Sequence, residues 1–302
     1  MPPTATDNLQ HSDAQSADSS QPQNTLLNWP DYLAKCVARQ GHPAVLGLDP
    51  HADRIDALKL PDANPEQILY DWAIDILHQL DGLFDIVKIQ QAWFELWGSQ
   101  GFRALERITA ELRRNNIAVI ADVKRTDIGP TARAYAQAWL QGAAKRADAI
   151  TTTPWLGAEG LDPFVEVCNA SGSGMFICSR TSNSGSEQLQ NAAVASQDGA
   201  EPAWRYTWKL AAAYNRRLHC PAVGLVVGAN RVEEACYIRE HDNSMWLLAP
   251  GLGAQKADAS QARYFINDRG LGALFPSSRA ITFPPQGSVR DAALRFISCL
   301  PR

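Results

Sequence analysis

In the stretch VIADVKRTDIGPT, residues 119–131, an apolar run meets Asp122, Lys124, Arg125 and Asp127 within six residues. Acid and base alternate there, and buried charges are costly unless each is paired. Two chemistries fit the pattern. One is a preorganised array in which each charge is held by the next and which stabilises a substrate whose charge changes during reaction. The other is an ion-pair network on a rim with no catalytic role. Side chains of a strand alternate between its faces. Ala118, Ile120, Asp122 and Lys124 therefore share one side, and Val119, Ala121 and Val123 share the other, fit to meet helices. By the same rule Lys88 goes with Ile86, and Asp49 with Val45 and Gly47.

The elements that must position these groups follow from hydropathy. Apolar, β-branched runs occur at 43–49, 83–90, 117–124, 147–153, 174–181, 222–229, 244–251 and 277–283. Between them lie amphipathic stretches such as PEQILYDWAIDILHQL and GFRALERITAELRRN. Continuous apolar strands alternating with helices indicate parallel βα units. Eight such units predict a single-domain α/β fold, a (β/α)8 TIM barrel. An open doubly wound sheet is the rival, but no G-x-G-x-x-G follows the first strand. Polar residues gather at the C-terminal ends of the runs, at Asp49, Lys88, Asp122, Lys124, Arg180 and Thr181. That end is the catalytic face of such barrels. Asp49, Lys88, Asp122 and Lys124, on three consecutive strands, can converge at one mouth, while Asp127 lies beyond its strand in a loop. The polar excursion over 181–202 reads as a lid or as decoration of the rim. TLLNWPDYLAKCVARQ reads as an N-terminal helix. Residues 1–24, rich in Ser, Gln, Asp and Pro, read as a disordered tail ahead of a 25–302 domain.

Composition narrows the function. The chain has 302 residues, 45% hydrophobic and 20% charged, with net charge −4, and a pI near 5.9. A mildly acidic chain without Lys/Arg runs argues against nucleic acid or an anionic membrane as partner. Six scattered cysteines with no C-x-x-C pair suggest reduced thiols rather than zinc or disulfides. No apolar run approaches a membrane span, and the first residues lack the features of a signal peptide. A cytoplasmic enzyme is the expectation. His51, next to Pro50, reads as a structural histidine, and the nine tryptophans as packing.

The D-x-K-x-x-D of Asp122, Lys124 and Asp127, followed by IGPT, resembles the signature of the orotidine 5′-phosphate decarboxylase family, in its longer, mycobacterial-type (type 2) branch. GLDPH (47–51), VKIQQAWFE (87–95), TTTPWLGAEGLDPF (151–164), RTSNSGS (180–186), VGLVVGAN (223–230), APGLGAQ (249–255) and SSRAI (277–281) support it in family order. The resemblance implies a (β/α)8 homodimer that converts orotidine 5′-phosphate to UMP and CO2, the last step of de novo pyrimidine synthesis, without metal or organic cofactor. By position, Lys88, Asp122 and Lys124 match the charged array, and Asp127 matches the member supplied by the partner subunit. Lys124 would be the proton donor. Asp49 and Asp127 would bind ribose hydroxyls with Thr131 nearby, Ser182 the pyrimidine, and Gln255 and Arg279 the phosphate.

The chain departs from that pattern at four places. Thr126 stands where the branch has Gly, Ile89 where a Pro is usual, Asn230-Arg231-Val232 in place of Thr-x-Pro, and GAQKADA, with Lys256, in place of a Gly-rich loop. Every ionisable position is kept. Two other functions stay open at this point. One is a Mg²⁺-dependent sugar-phosphate decarboxylase or aldolase of the same superfamily, which loss of activity in EDTA would reveal. The other is a non-catalytic nucleotide-binding paralogue, which would bind a UMP analogue without turnover.

Overall fold

A computed structural model of the chain describes residues 28–301 apart from 143–144, 197–198, 219–221 and 253–257. The expected tail, residues 1–24, lies outside the described residues, as do Gln255 and Lys256.

Ten strands form in chain order: β1 (Ala44–Leu48), β2 (Ile86–Gln90), β3 (Ala118–Arg125), β4 (Ala149–Thr152), β5 (Gly174–Arg180), β6 (Ala193–Ser196), β7 (Gly199–Pro202), β8 (Val223–Val227), β9 (Leu247–Leu248) and β10 (Ala273–Ser277). Eight of them close a parallel barrel in the order β1-β10-β9-β8-β5-β4-β3-β2, and β6 and β7 make a separate hairpin. The α-helices among the described residues are α1 (Trp29–Gln40), α2 (Pro65–Gln79), α3 (Ala92–Glu95), α4 (Gly98–Arg114), α5 (Gly129–Leu140), α6 (Gly157–Ser171), α7 (Ser186–Gln190), α8 (Ala203–Arg217), α9 (Val232–His241), α10 (Arg279–Thr282) and α11 (Val289–Ser298). The TIM barrel expected from the βα alternation is the fold observed.

Period-two alternation builds two apolar layers. Val119, Ala121 and Val123 join the layer between strands and helices. Ala118 and Ile120 join the barrel interior with Val45, Ile86, Ala149, Phe176 and Leu274. Helix α1 starts at an Asn28 cap with Pro30 in its first turn, both strong start signals. It closes the N-terminal end of the barrel with Trp29, Leu33 and Val37. Trp29 meets Phe176 edge-on at 6.4 Å, and a Cβ on Gly174 would come within 2.0 Å of the indole. Residue 174 must therefore stay bare for the indole to seat.

Two strand expectations are corrected. The eighth strand is Ala273–Ser277, not 277–283. Residues Arg279–Thr282 form one helical turn instead, its backbone N–H groups at Ile281 and Thr282 donating to the Ser278 carbonyl. Pro276 argues against a strand from sequence, yet the pairing of β10 with β1 accommodates it opposite Val45. The seventh strand shrinks from 244–251 to Leu247–Leu248, because Pro250 offers no N–H to extend the ladder. Beyond residue 190 the excursion after β5 carries the β6–β7 hairpin, which packs on α8.

Candidate active site

The sequence-marked charges from β1, β2 and β3 meet at the C-terminal mouth. In the barrel register Gly47 pairs with Lys88 and Lys88 with Ile120. Lys88 Nζ lies 3.3 Å from Asp122 Oδ2 and 3.9 Å from Asp49 Oδ1. Lys124 Nζ donates to Asp122 Oδ1 at 2.5 Å. Asp122 thus sits between two ammonium groups, one buried and one facing solvent.

A fourth strand completes this arrangement. The Thr151 hydroxyl on β4 donates to Asp122 Oδ1 at 2.9 Å and accepts the backbone N–H groups of Val123 and Lys124, each at 3.0 Å. The β3–β4 register shifts between Ala121 and Arg125, and Lys124 takes a left-handed φ of 45°. Such a backbone is costly for a non-glycine residue and persists where its surroundings hold it. Here Thr151 replaces the ladder bonds lost at the shift. Thr151 was missed as a site residue. The signal for it was present, since alternation from the inward Ala149 also turns residue 151 inward.

The electrostatics favour full ionisation. Burial alone would raise the Asp122 pKa, but Lys88, Lys124 and the Lys124 and Thr151 hydrogen bonds hold it well below the usual carboxylate range. Burial would likewise pull Lys88 down, and the carboxylates of Asp122 and Asp49 reverse that and raise it. Cys178, on the inward side of β5, is pushed up to about 12 by burial and remains a neutral thiol beneath the array.

The array forms one wall of a cavity of about 250 Å³. Lys88, Asp122, Lys124 and Thr151 line one side, Val226, Leu248, Pro250 and Pro276 another, and Ser182 and Asn183 a third. Asp49 Oδ1, on the far side of Lys88 Nζ at 3.9 Å, is buried without a hydrogen-bond partner among the described residues. Charged groups and apolar groups lining one cavity suit a ligand that carries both charge and apolar surface. Arg279 stands exposed just past β10, at the start of α10, where barrels commonly hold phosphate. Among the described residues it has no ion-pair partner. Its neighbour Ser278 packs against Gly47, where a Cβ would come within 2.6 Å.

The remaining marked residues fall elsewhere. Within one chain Asp127 does not join the array, since its Oδ1 accepts the N–H of Ile128 at 2.8 Å. Thr131 is exposed on the first turn of α5. Arg180, expected at the mouth, is instead 2% exposed and bonded to Glu234, Glu187 and Ser186. The cause is a register shift between Cys178 and Arg180 against β8, which breaks the alternation and turns Arg180 away. His51 packs against Trp93 at 4.2 Å and Phe283 at 6.0 Å, in keeping with a structural role.

A family model described as the orotidine 5′-phosphate decarboxylase / HUMPS family matches residues 43–285. The chain belongs to that family. It is 37% identical over 270 residues to the orotidine 5′-phosphate decarboxylase of Haloarcula marismortui, covering 88% of this chain and 89% of that one. It is 33% identical over 273 residues to the enzyme of the same name from Rhodopirellula baltica, covering 85% and 89%. Its fold superposes on the Leishmania donovani OMP decarboxylase with a TM-score of 0.73 at 25% identity, over 90% and 96% of the two chains. By this kinship it is a decarboxylase of the carbon–carbon lyase class. No helix among the described residues is long and apolar enough to cross a membrane.

Proposed function

We propose that the chain decarboxylates orotidine 5′-phosphate to UMP and CO2, with Lys124 as proton donor. The observation that supports this most is the paired seating of Asp122 between Lys88 and Lys124 on the wall of a cavity that also carries Ser182. Breaking the C6–carboxyl bond leaves the electron pair on C6, where the ring cannot delocalise it. A carboxylate of Asp122 beside the departing carboxylate repels the ground state, and that repulsion falls as CO2 leaves. The Lys124 ammonium gains attraction to C6 as its negative charge grows, then transfers its proton there and is reprotonated from water. Because that attraction is stronger in the transition state than in the ground state, it raises the rate. Lys88 and Thr151 keep Asp122 ionised and aimed. Ser182 meets the base, Asp49 a ribose hydroxyl, and Arg279 with Gln255 the phosphate.

The working unit in this reading is a homodimer. Asp127 and Thr131 lie outside their own chain's array, and the segments that follow β2, β3 and β4 expose Leu96, Ile128, Trp155 and Leu156 by 64, 49, 74 and 43%. An apolar patch of this kind is the mark of an interaction face. Asp127 and Thr131 would then complete the partner's ribose site. Mixing inactive Lys124→Ala protein with inactive Asp127→Ala protein should regenerate activity, since one site of each mixed dimer is intact. Additive inactivity would refute shared sites.

The reaction itself is tested by the ultraviolet absorbance of orotidine 5′-phosphate with purified protein, with and without EDTA. Conversion to UMP that chelator leaves untouched supports the reading. Loss of activity in EDTA, or UMP binding without turnover, overturns it.

A further inference from the structure

The segment that carries Ser182 has no secondary structure of its own, so its backbone groups need partners from elsewhere. Two adjacent side chains after β8 supply them. Asn230 Nδ2 donates to the Ser182 carbonyl at 3.0 Å. Arg231 Nε donates to the Thr181 carbonyl at 3.2 Å, and its Nη2 reaches the Asn183 carbonyl at 3.4 Å. Three successive carbonyls are thus read by two residues. The same guanidinium grips the far side of the loop, Nη1 donating to Glu187 Oε1 at 2.5 Å and Nη2 to Ser186 Oγ at 2.8 Å. Those two acceptors are shared with the buried Arg180, whose Nη2 and Nη1 donate to them at 2.5 and 2.9 Å. Glu234, at 2.7 Å from Arg180 Nε, balances the second positive charge. Beneath the loop, Gly228 has no room for a side chain: a Cβ would come within 2.7 Å of the Ser182 backbone.

We propose that Asn230 and Arg231 are positioning residues that set Ser182 against the base, so that affinity for the pyrimidine passes through a clamp built on the loop after β8. This rests on the reading that Ser182 meets the pyrimidine. The two residues fall in the segment where the chain departs from its branch, Asn-Arg-Val replacing Thr-x-Pro. Arg180 is the fixed post, since a buried guanidinium must keep its carboxylates. Arg231, nearer the surface, ties the loop to that post. Neither residue lines the wall that holds Asp122, so the array should be indifferent to them.

Calorimetric titration of the full-length protein with uridine 5′-phosphate and, separately, with ribose 5-phosphate tests this, because only the first carries a base. Arg231→Ala should weaken uridine 5′-phosphate about tenfold and Asn230→Ala about threefold, with ribose 5-phosphate changed by less than about twofold. Asn230→Ala removes no charge, and so keeps the test valid should Arg231→Ala fold poorly. Equal weakening of both ligands, or no weakening of either, overturns the clamp. Ser182→Ala serves as the reference. If it weakens uridine 5′-phosphate while the clamp variants do not, the clamp alone is wrong. If Ser182→Ala has no effect, the reading of Ser182 falls and the proposal with it.

Discussion

The two ends of the barrel are built from the same strands and are opposite in chemistry. At the N-terminal end, Ala118 and Ile120 of β3 meet Trp29, Leu33 and Phe176 in a sealed apolar plug. Two residues further along the same face of β3, Asp122 and Lys124 meet Lys88 and Asp49 in an ionised cluster open to solvent on one side. At the plug, buried apolar side chains fill the space, and Gln40 and Asp148 hold the strand starts through the Ala44 carbonyl and the Asp85 and Val119 N–H groups. At the mouth, Lys124 is in a left-handed conformation and Asp49 Oδ1 lacks a hydrogen-bond partner among the described residues. Unspent hydrogen-bonding capacity and local strain concentrate where a ligand is to act, and the plug supplies stability that offsets them.

If stability and chemistry are divided along the barrel axis in this way, substitutions at the two ends should separate cleanly. The largest effect belongs to Lys124→Ala. If Lys124 is the proton donor proposed above, its loss should lower kcat by about 10³-fold or more, while thermal unfolding barely moves because Asp122 keeps Lys88 and Thr151. Near-normal turnover of the purified variant would remove Lys124 from its role. At the other end, Trp29→Ala should cost about 3–5 kcal/mol in denaturant unfolding, with kcat per folded molecule unchanged. A parallel loss of kcat there would show that the two ends are coupled.

If Arg279 grips the phosphate as proposed, Arg279→Ala removes a charge-assisted contact worth about 1.5–3 kcal/mol. It should therefore lower kcat/KM about tenfold to a few hundredfold without altering the melting temperature. Thr151→Val sharpens the comparison, because Thr151 serves both the strained backbone and Asp122. It leaves two N–H groups without their acceptor, at about 1–3 kcal/mol, and should lower kcat about tenfold. A fall in stability with no change in kcat would mean that Thr151 supports the bend and not the carboxylate.

The smallest effect is one of pH. Asp122 is depressed, so its contribution to stability is present above its unfolded value of about 3.9 and is lost only as pH falls through the lower folded value. Lys88 is raised, so its contribution is complete below about 10.4 and is lost as pH rises through the higher folded value. Between about pH 5 and 9 neither group changes charge. In the parent, the Asp122 carboxylate followed by carbon-13 NMR should show no titration across that window. A titration inside it would show the array to be less tightly paired than its distances imply.

The sequence by itself determined the alternation of βα units, the place of seven of the eight barrel strands, the two faces of β3 and the meeting of Asp49, Lys88, Asp122 and Lys124 at the mouth. These depend on alternation with period two and on the order of neighbouring strands, both of which are local. Only the tertiary structure decided where alternation breaks. The shift between Ala121 and Arg125 brings Thr151 under Asp122, and the shift between Cys178 and Arg180 takes Arg180 out of the mouth to anchor the Ser182 loop. It also placed the last strand at Ala273–Ser277 and kept Asp127 away from its own array. Closure of a hydrogen-bonded ring sets those registers, and that is a property of all eight strands together, which no single stretch of residues contains.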